Sequence, residues 1–179
     1  MIEKIVKDIL DRSAHLTVLG SGYVGLPTAT LFADAGFHAI AVDIKPEIVE
    51  AVNNGFSPVN EPGLQRLVSR NVQAGRLRAT LNSTEVLTQT DAVIISVQTP
   101  INQNMKPNLS FLTKALEDVG KTMKKRMIVV ISSTIPPGTM LKKVKPKLES
   151  LSGLRTDVDF CLAYVPERIA PGKALKEFV

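Results

Sequence analysis

The stretch LTVLGSGYVGLPTATLFADAGF, residues 16–37, decides the fold. It begins as an apolar strand pattern, continues as a helical one, and carries three glycines at the change. A glycine inside a helix costs about 1 kcal/mol relative to alanine, so bare backbone must be needed at Gly20, Gly22 and Gly25. The glycines form the pattern G-x-G-x-x-G, which between a strand and a helix is typical of a dinucleotide site. Gly20 permits the tight turn out of the strand. Gly22 allows a diphosphate to approach the backbone closely, and Gly25 allows the helix to pack on the strand.

Asp43 supports this interpretation of the glycines. It lies 18 residues after Gly25, at the end of the next apolar run, where a carboxylate can accept both ribose hydroxyls of an adenosine. The same charge would repel a 2′-phosphate, which favours NAD over NADP, although Lys45 could offset part of that repulsion. The alternatives are a plain strand–helix turn for the glycines and a strand-end turn acid for Asp43.

Strand and helix patterns alternate along the rest of the chain. We predict strands at 16–20, 38–43, 76–81, 91–100, 127–134 and 158–167. We predict helices at about 23–35, 46–55, 63–74 and 109–125, and one that begins near Pro137. This alternation predicts a Rossmann-type α/β fold, doubly wound, with a mainly parallel sheet and helices on both faces.

The composition favours a globular domain and argues against membrane-spanning, secreted and metal-binding proteins. The 179 residues, 44% of them hydrophobic, suit one globular domain. No apolar run reaches the roughly 20 residues of a membrane span, and the N-terminal residues 1–15 show helical apolar spacing among charges, unlike a secretory signal. A single cysteine suits a reducing cytosol, so we expect a cytoplasmic protein. No Cys, His and carboxylate cluster has metal-ligand spacing.

The net charge of +5 is local. Residues 121–147 hold eight lysines and arginines and no acid. With two tyrosines and no tryptophan in the chain, aromatic stacking platforms are scarce. We therefore expect a solvated face here and no nucleic-acid partner.

Several motifs in order resemble one family, the NAD-binding domain of the UDP-glucose/GDP-mannose dehydrogenase family. The matching motifs span almost the whole chain: GSGYVGLPTA, VDI, NEPGL (60–64), VQTP, SSTIPPGT and YVPERIAPG (164–172). The resemblance implies that NAD is bound by Gly20, Gly22, Tyr23, Val24, Gly25 and Asp43, with Thr99 and Thr134 beside its nicotinamide half. Glu61, in NEPGL, belongs to the active-site side of the family pattern, but no chemistry is assigned to it.

The resemblance also implies a reaction, in which a primary alcohol becomes a carboxylate through two hydride transfers to NAD. Glu167 would be the catalytic base or would hold the hydrolytic water, and Arg168 would recognise the acetamido sugar or its diphosphate. The sequence PER followed by PG is similar to members that act on UDP-N-acetylhexosamines, which points to UDP-N-acetylmannosamine. UDP-N-acetylglucosamine and UDP-glucose are alternatives, and Arg168 argues against the latter because members acting on it typically read Asn-Pro-Glu-Phe here.

Other parts of the family pattern have no counterpart in these residues. The family's catalytic cysteine and lysine, its central helical segment and its C-terminal UDP-binding domain lie downstream. We therefore expect residues 1–179 to be a truncated NAD-binding domain, monomeric and inactive alone, of a parent that is a homodimer or larger. Cys161 lies in the apolar run DFCLAYV and is predicted to be a small buried core residue. The alternatives are a hydroxyacid or 6-phosphogluconate type of dehydrogenase, which NEPGL and PERIAPG disfavour, and a non-catalytic nucleotide-binding module.

Overall fold

A single parallel sheet of six strands organises the chain. The computed structural model describes residues 2–167 and 172–177. The strands are β1 His15–Leu19, β2 His38–Val42, β3 Leu77–Thr80, β4 Ala92–Ile95, β5 Ile128–Ile131 and β6 Cys161–Tyr164. Their order across the sheet is β3-β2-β1-β4-β5-β6, which is the dinucleotide-binding order. The predicted fold class is therefore confirmed.

The strand β1 lies at the centre of the sheet, between β2 and β4. Leu16 pairs with Ala39 on one side and with Ala92 on the other, and all neighbouring strands run parallel. Strand order reverses beside β1, and ligands of open α/β sheets bind in the crevice at such a switch point.

Helices cover both faces of the sheet. They are α1 Ile2–Leu10, α2 Gly25–Asp34, α3 Pro46–Asn53, α4 Leu64–Gln73, α5 Ser83–Leu87, α6 Ser110–Thr122, the π-helix Met140–Val144, α7 Lys145–Ser152 and α8 Ala174–Glu177. One core cluster joins the sheet to α2, α3 and α4, and a second joins it to α5, α6 and α7. Among the described residues, no helix has the length and apolar character that a membrane span requires.

The predicted and observed elements differ mainly at their ends. The run 91–100 was expected to be one strand, but β4 ends at Ile95, and the polar residues that follow leave the sheet. The helix expected near Pro137 begins at Met140 as a π-helix and continues as α7. The short helix α5 was not predicted, because five residues show too little periodicity. Its signal is Asn82, whose side chain accepts a hydrogen bond from the Glu85 N–H and so caps the helix.

The basic segment 121–147 folds into several different elements. Three of its lysines form ion pairs with carboxylates from other parts of the chain: Lys124 with Asp91, Lys125 with Asp159, and Lys147 with Glu117. The positive charge that is concentrated in the sequence is thus partly neutralised in the folded chain.

Candidate cofactor-binding site

The carboxyl edge of the sheet, where the parallel strands end, collects the predicted site residues. The loop Gly20–Gly25 follows β1, Asp43 follows β2, and Ser96–Pro100 follows β4. Ser132–Gly138 follows β5, and Glu167 comes three residues after β6. Segments that are far apart in sequence therefore meet at one edge, beside the switch point where a dinucleotide would bind.

The three glycines have separable roles. Gly20 has φ +96°, and a Cβ there would come within 2.6 Å of the Ser96 carbonyl oxygen. A Cβ at Gly25 would lie 1.7 Å from the Gly20 carbonyl oxygen, so this glycine lets α2 start directly against the turn. A Cβ at Gly22 would meet nothing within 4 Å. Gly22 thus borders open space that a side chain would fill. This space beside the Gly22 backbone is called the cradle below, and a diphosphate could occupy it.

Asp43 holds the glycine loop to the end of β2. Its Oδ2 accepts a hydrogen bond of 2.8 Å from the Ser21 N–H, and its Oδ1 accepts one of 3.1 Å from the Lys45 N–H. A carboxylate has about four acceptor positions, so both oxygens can still accept ribose hydroxyls. The turn role and the ribose role of Asp43 are therefore compatible, although the sequence presented them as alternatives.

The start of α2 has no side-chain cap of its own. Val24 is the N-cap residue and offers no side-chain acceptor, and the side chain of Tyr23 is exposed. The N–H groups of a helix start need acceptors, and an anion can supply them. The placement of Tyr23 and Val24 beside the cradle therefore suits a diphosphate-binding helix start.

The loops after β4 and β5 are joined by side-chain hydrogen bonds. The Thr99 hydroxyl donates to the Thr134 carbonyl oxygen at 2.6 Å, and the Ser133 hydroxyl donates to the Val97 carbonyl oxygen at 2.7 Å. Because its proton is used in this way, Thr99 can only accept a hydrogen bond from a ligand. Thr134 is exposed at the same edge, so a ligand bound there could reach it.

The two residues predicted to serve the substrate differ in what the structure describes. Glu167 is half-buried and follows β6 at the carboxyl edge. Arg168 lies outside the described residues. Among the side chains that the structure describes, no group of three His, Cys, Asp or Glu could hold a metal ion.

The prediction that Cys161 is a buried core residue was wrong. Cys161 is exposed, because β6 is the outermost of the described strands and pairs with β5 alone among them. The preceding residue, Phe160, is 2% exposed and takes the core position. Cys161 is the first residue of β6, at the amino edge, so it lies away from the predicted site.

Two serines with structural roles in the site were not singled out from the sequence. Ser21 is 1% exposed, and its hydroxyl donates to the Val42 carbonyl oxygen at 3.2 Å. Ser133 joins two loops, as described above. The position of Ser21 inside the glycine pattern was a usable signal, whereas the partner of Ser133 depends on strand order, which the local sequence does not contain.

Comparison with known proteins gives consistent matches. Residues 14–179 match the model of the NAD binding domain of the UDP-glucose/GDP-mannose dehydrogenase family. The UDP-N-acetyl-D-mannosamine dehydrogenase of Pyrococcus horikoshii is 41% identical over 165 residues, which cover 92% of this chain and 39% of the relative. A GDP-mannose 6-dehydrogenase of Pseudomonas syringae is 33% identical over 167 residues, covering 92% of this chain and 38% of the relative.

A solved structure agrees with these sequence matches. The structure of a UDP-N-acetyl-mannosamine dehydrogenase from Pyrococcus horikoshii superimposes with a TM-score of 0.88 at 41% identity, over 92% of this chain and 39% of that one. The chain thus spans about two fifths of the length of these relatives. The matched model is an NAD-binding domain, so NAD is the cofactor of this domain.

Proposed function

The chain belongs to the UDP-glucose/GDP-mannose dehydrogenase family, and from this premise we propose that it is the NAD-binding domain of a UDP-N-acetyl-D-mannosamine dehydrogenase. The family assignment makes it an oxidoreductase domain for nucleotide-sugar oxidation. The observation that carries the proposal is the meeting of the Gly22 cradle, Asp43 and Glu167 at one edge of the sheet. The 41% identity to a relative that acts on this sugar supports the choice of substrate.

The proposed roles follow from the chemistry of each side chain. NAD supplies the hydride acceptor when it is bound. Asp43 and the Gly20–Gly25 loop hold its adenosine and diphosphate, and Thr99 and Thr134 flank its nicotinamide half. Glu167 takes up the proton released during alcohol oxidation, or orients the water of the hydrolytic step, as a positioned carboxylate can. Arg168 recognises the acetamido sugar or its diphosphate.

The 179 residues alone are proposed to bind NAD without turning over a nucleotide sugar. The reaction needs a nucleophile that captures an aldehyde at a distance of about 3–3.5 Å. Cys161 is the only cysteine in the chain, and it lies at the opposite edge of the sheet from Glu167. We also propose that this domain alone is monomeric, whereas the enzyme that carries it is a homodimer or larger.

The test compares the domain with the enzyme that carries it. Each is given NAD and one of four substrates: UDP-N-acetylmannosamine, UDP-N-acetylglucosamine, UDP-glucose or GDP-mannose. NADH absorbance is then followed. We expect NADH from the enzyme, most rapidly with UDP-N-acetylmannosamine, and none from the domain. A preference for GDP-mannose or UDP-glucose would contradict the proposed substrate, and NADH formed by the domain alone would contradict its inactivity.

A further inference from the structure

Glu61 is a buried carboxylate that has no part in the roles above. It is 6% exposed, and among the side chains that the structure describes it is the one ionisable group that is buried. Burying a carboxylate is costly unless it is hydrogen-bonded. Glu61 lies in the turn NEPGL, directly before α4, so its burial calls for a partner in this region.

The structure supplies that partner from a distant part of the chain. Glu61 Oε2 accepts a hydrogen bond of 2.7 Å from the N–H of Gly172, 111 residues away in sequence. A hydrogen bond to an ionised acceptor is roughly twice as strong as a neutral one. The contact therefore fixes the backbone of Gly172 to the start of α4.

The residues after Gly172 are packed at the same place. Ala174, the first residue of α8, is 1% exposed. The Leu175 Cδ1 atom lies 3.3 Å from the position that a Cβ on Gly63 would occupy. Gly63 has φ +85°, a conformation that favours glycine, so the turn is shaped to let α8 approach. Glu61 and Gly63 together therefore form the surface against which residues 172–175 pack.

The contact between Glu61 and Gly172 matters because Glu167 precedes Gly172 closely in the chain. Glu167 comes five residues earlier, and five residues span at most about 18 Å. Glu167 follows β6, which pairs with β5, and Gly172 is held by the Glu61 contact. Because the chain is continuous, fixing Gly172 limits how far Glu167 can lie from the start of α4.

We propose that Glu61 is a positioning residue, which holds Gly172 and thereby keeps Glu167 in place for proton transfer. The inference rests on the proposed function, because it takes Glu167 as the acid–base group. Glu61 acts through the backbone of Gly172 and is not assigned contact with NAD or with the sugar. Its loss should therefore affect the chemical step and leave cofactor binding unchanged.

Two variants separate the charge of Glu61 from its capacity to accept a hydrogen bond. Glu61→Gln keeps an acceptor oxygen of the same reach, and Glu61→Met has a similar size without one. Glu50→Met is the matched control, since Glu50 is exposed on α3. Each variant is made in the enzyme that carries the domain. The measurements are kcat, the KM values for NAD and for the nucleotide sugar, and hydrogen exchange of the Gly172 amide.

The expected results form a distinct pattern. In Glu61→Met, the Gly172 amide should exchange at least about tenfold faster, and kcat should fall at least about tenfold. The KM for NAD should stay within about twofold of that of the unaltered enzyme, because Glu61 is not assigned contact with the cofactor. Glu61→Gln should recover kcat to within about threefold of the unaltered enzyme, since it restores the acceptor. The control should match the unaltered enzyme in every measurement.

Other outcomes would overturn the inference. Faster exchange at Gly172 with an unchanged kcat would show that the contact does not serve catalysis, and the proposed function would stand. Equal losses of kcat in the Gln and Met variants would contradict the inference, because the acceptor oxygen that Gln keeps would then not be what positions Glu167. An unaltered enzyme that forms no NADH from any nucleotide sugar would instead refute the proposed function, and with it the role of Glu61.

Discussion

At the scale of single residues, the candidate site combines groups that shape the backbone with groups left available to a ligand. Gly20 and Gly25 are required by contacts inside the protein, whereas Gly22 faces open space. Asp43 does both, because it holds two backbone N–H groups and keeps further acceptor capacity. The sequence predicted these residues as one cofactor-binding group, but the separate task of each depends on distances to Ser96 and Gly20 that only the fold supplies.

This division predicts different effects for two alanine variants. Gly22→Ala should leave stability nearly unchanged and weaken NAD binding at least about tenfold, or about 1.4 kcal/mol, because the new methyl group occupies the cradle. Gly25→Ala should destabilise the fold by about 3 kcal/mol or more, since its Cβ would overlap the Gly20 carbonyl. Urea unfolding and calorimetric titration with NAD test both variants. Undiminished NAD affinity in Gly22→Ala would show that the cradle does not hold the diphosphate.

At the scale of elements, the sequence predicts what is buried better than where it lies. The alternation of apolar runs predicted the strands, because apolar runs report burial on both faces. It failed for Cys161, whose run looks like a core strand but forms an edge of the sheet. Whether a strand is central depends on strand order, and local periodicity carries no information about strand order. The end of β4 was misjudged for a similar reason, since Val97 and Thr99 leave the sheet to meet the loop after β5.

The packing of α6 against α7 gives a prediction at this scale. A Cβ at Gly120, in α6, would lie 2.8 Å from the Cβ of Leu151 in α7. Alanine gains about 1 kcal/mol over glycine in a helix, but overpacking costs about 1–3 kcal/mol. Because the clash involves a Cβ that cannot rotate away, we expect Gly120→Ala to lower the free energy of unfolding by about 1 kcal/mol.

The control for this prediction is the adjacent residue in the same helix. Lys121 is exposed, so Lys121→Ala should change the free energy of unfolding by no more than about 0.5 kcal/mol. Urea unfolding of both variants is the measurement. A Gly120→Ala variant that is more stable than the unaltered chain would mean that α6 and α7 can move apart at little cost.

At the scale of the whole molecule, the two edges of the sheet differ in character. The carboxyl edge collects the glycine loop, Asp43 and Glu167, whereas charged contacts fasten elements at the amino edge. Asp91 Oδ2 accepts a hydrogen bond of 3.0 Å from the N–H of His15, where β1 begins, and Oδ1 pairs with Lys124 at 3.0 Å. Asp91 thus fastens β1 and Lys124 at the edge opposite to the candidate site, so its effect on stability can be measured apart from cofactor binding.

Four carboxyl groups with hydrogen-bond or ion-pair partners predict how stability depends on pH. Burial would raise the pKa of the Asp91 carboxyl, but the His15 N–H and the Lys124 ammonium outweigh burial and lower it. The Arg155 N–H, followed by Lys125, lowers the pKa of Asp159. The Lys147 ammonium lowers that of Glu117, and the Thr156 N–H lowers that of Glu149.

Because these pKa values are lower in the folded chain, the unfolded chain binds more protons in acid, and stability must rise with pH in that range. The stabilisation is complete above the unfolded values of 3.8 for Asp and 4.5 for Glu and is lost as the pH falls through the lowered folded values. Urea unfolding at pH 7, 4.5 and 3 should therefore show a free energy of unfolding that declines mainly below pH 4.5.

Asp91→Asn keeps an acceptor for the His15 N–H but removes the charge, so it should flatten this decline of the free energy of unfolding in acid. It should leave the NAD affinity at pH 7 unchanged, because Asp91 lies at the amino edge. A decline of undiminished steepness in Asp91→Asn would show that Asp91 is not among the groups whose protonation destabilises the fold.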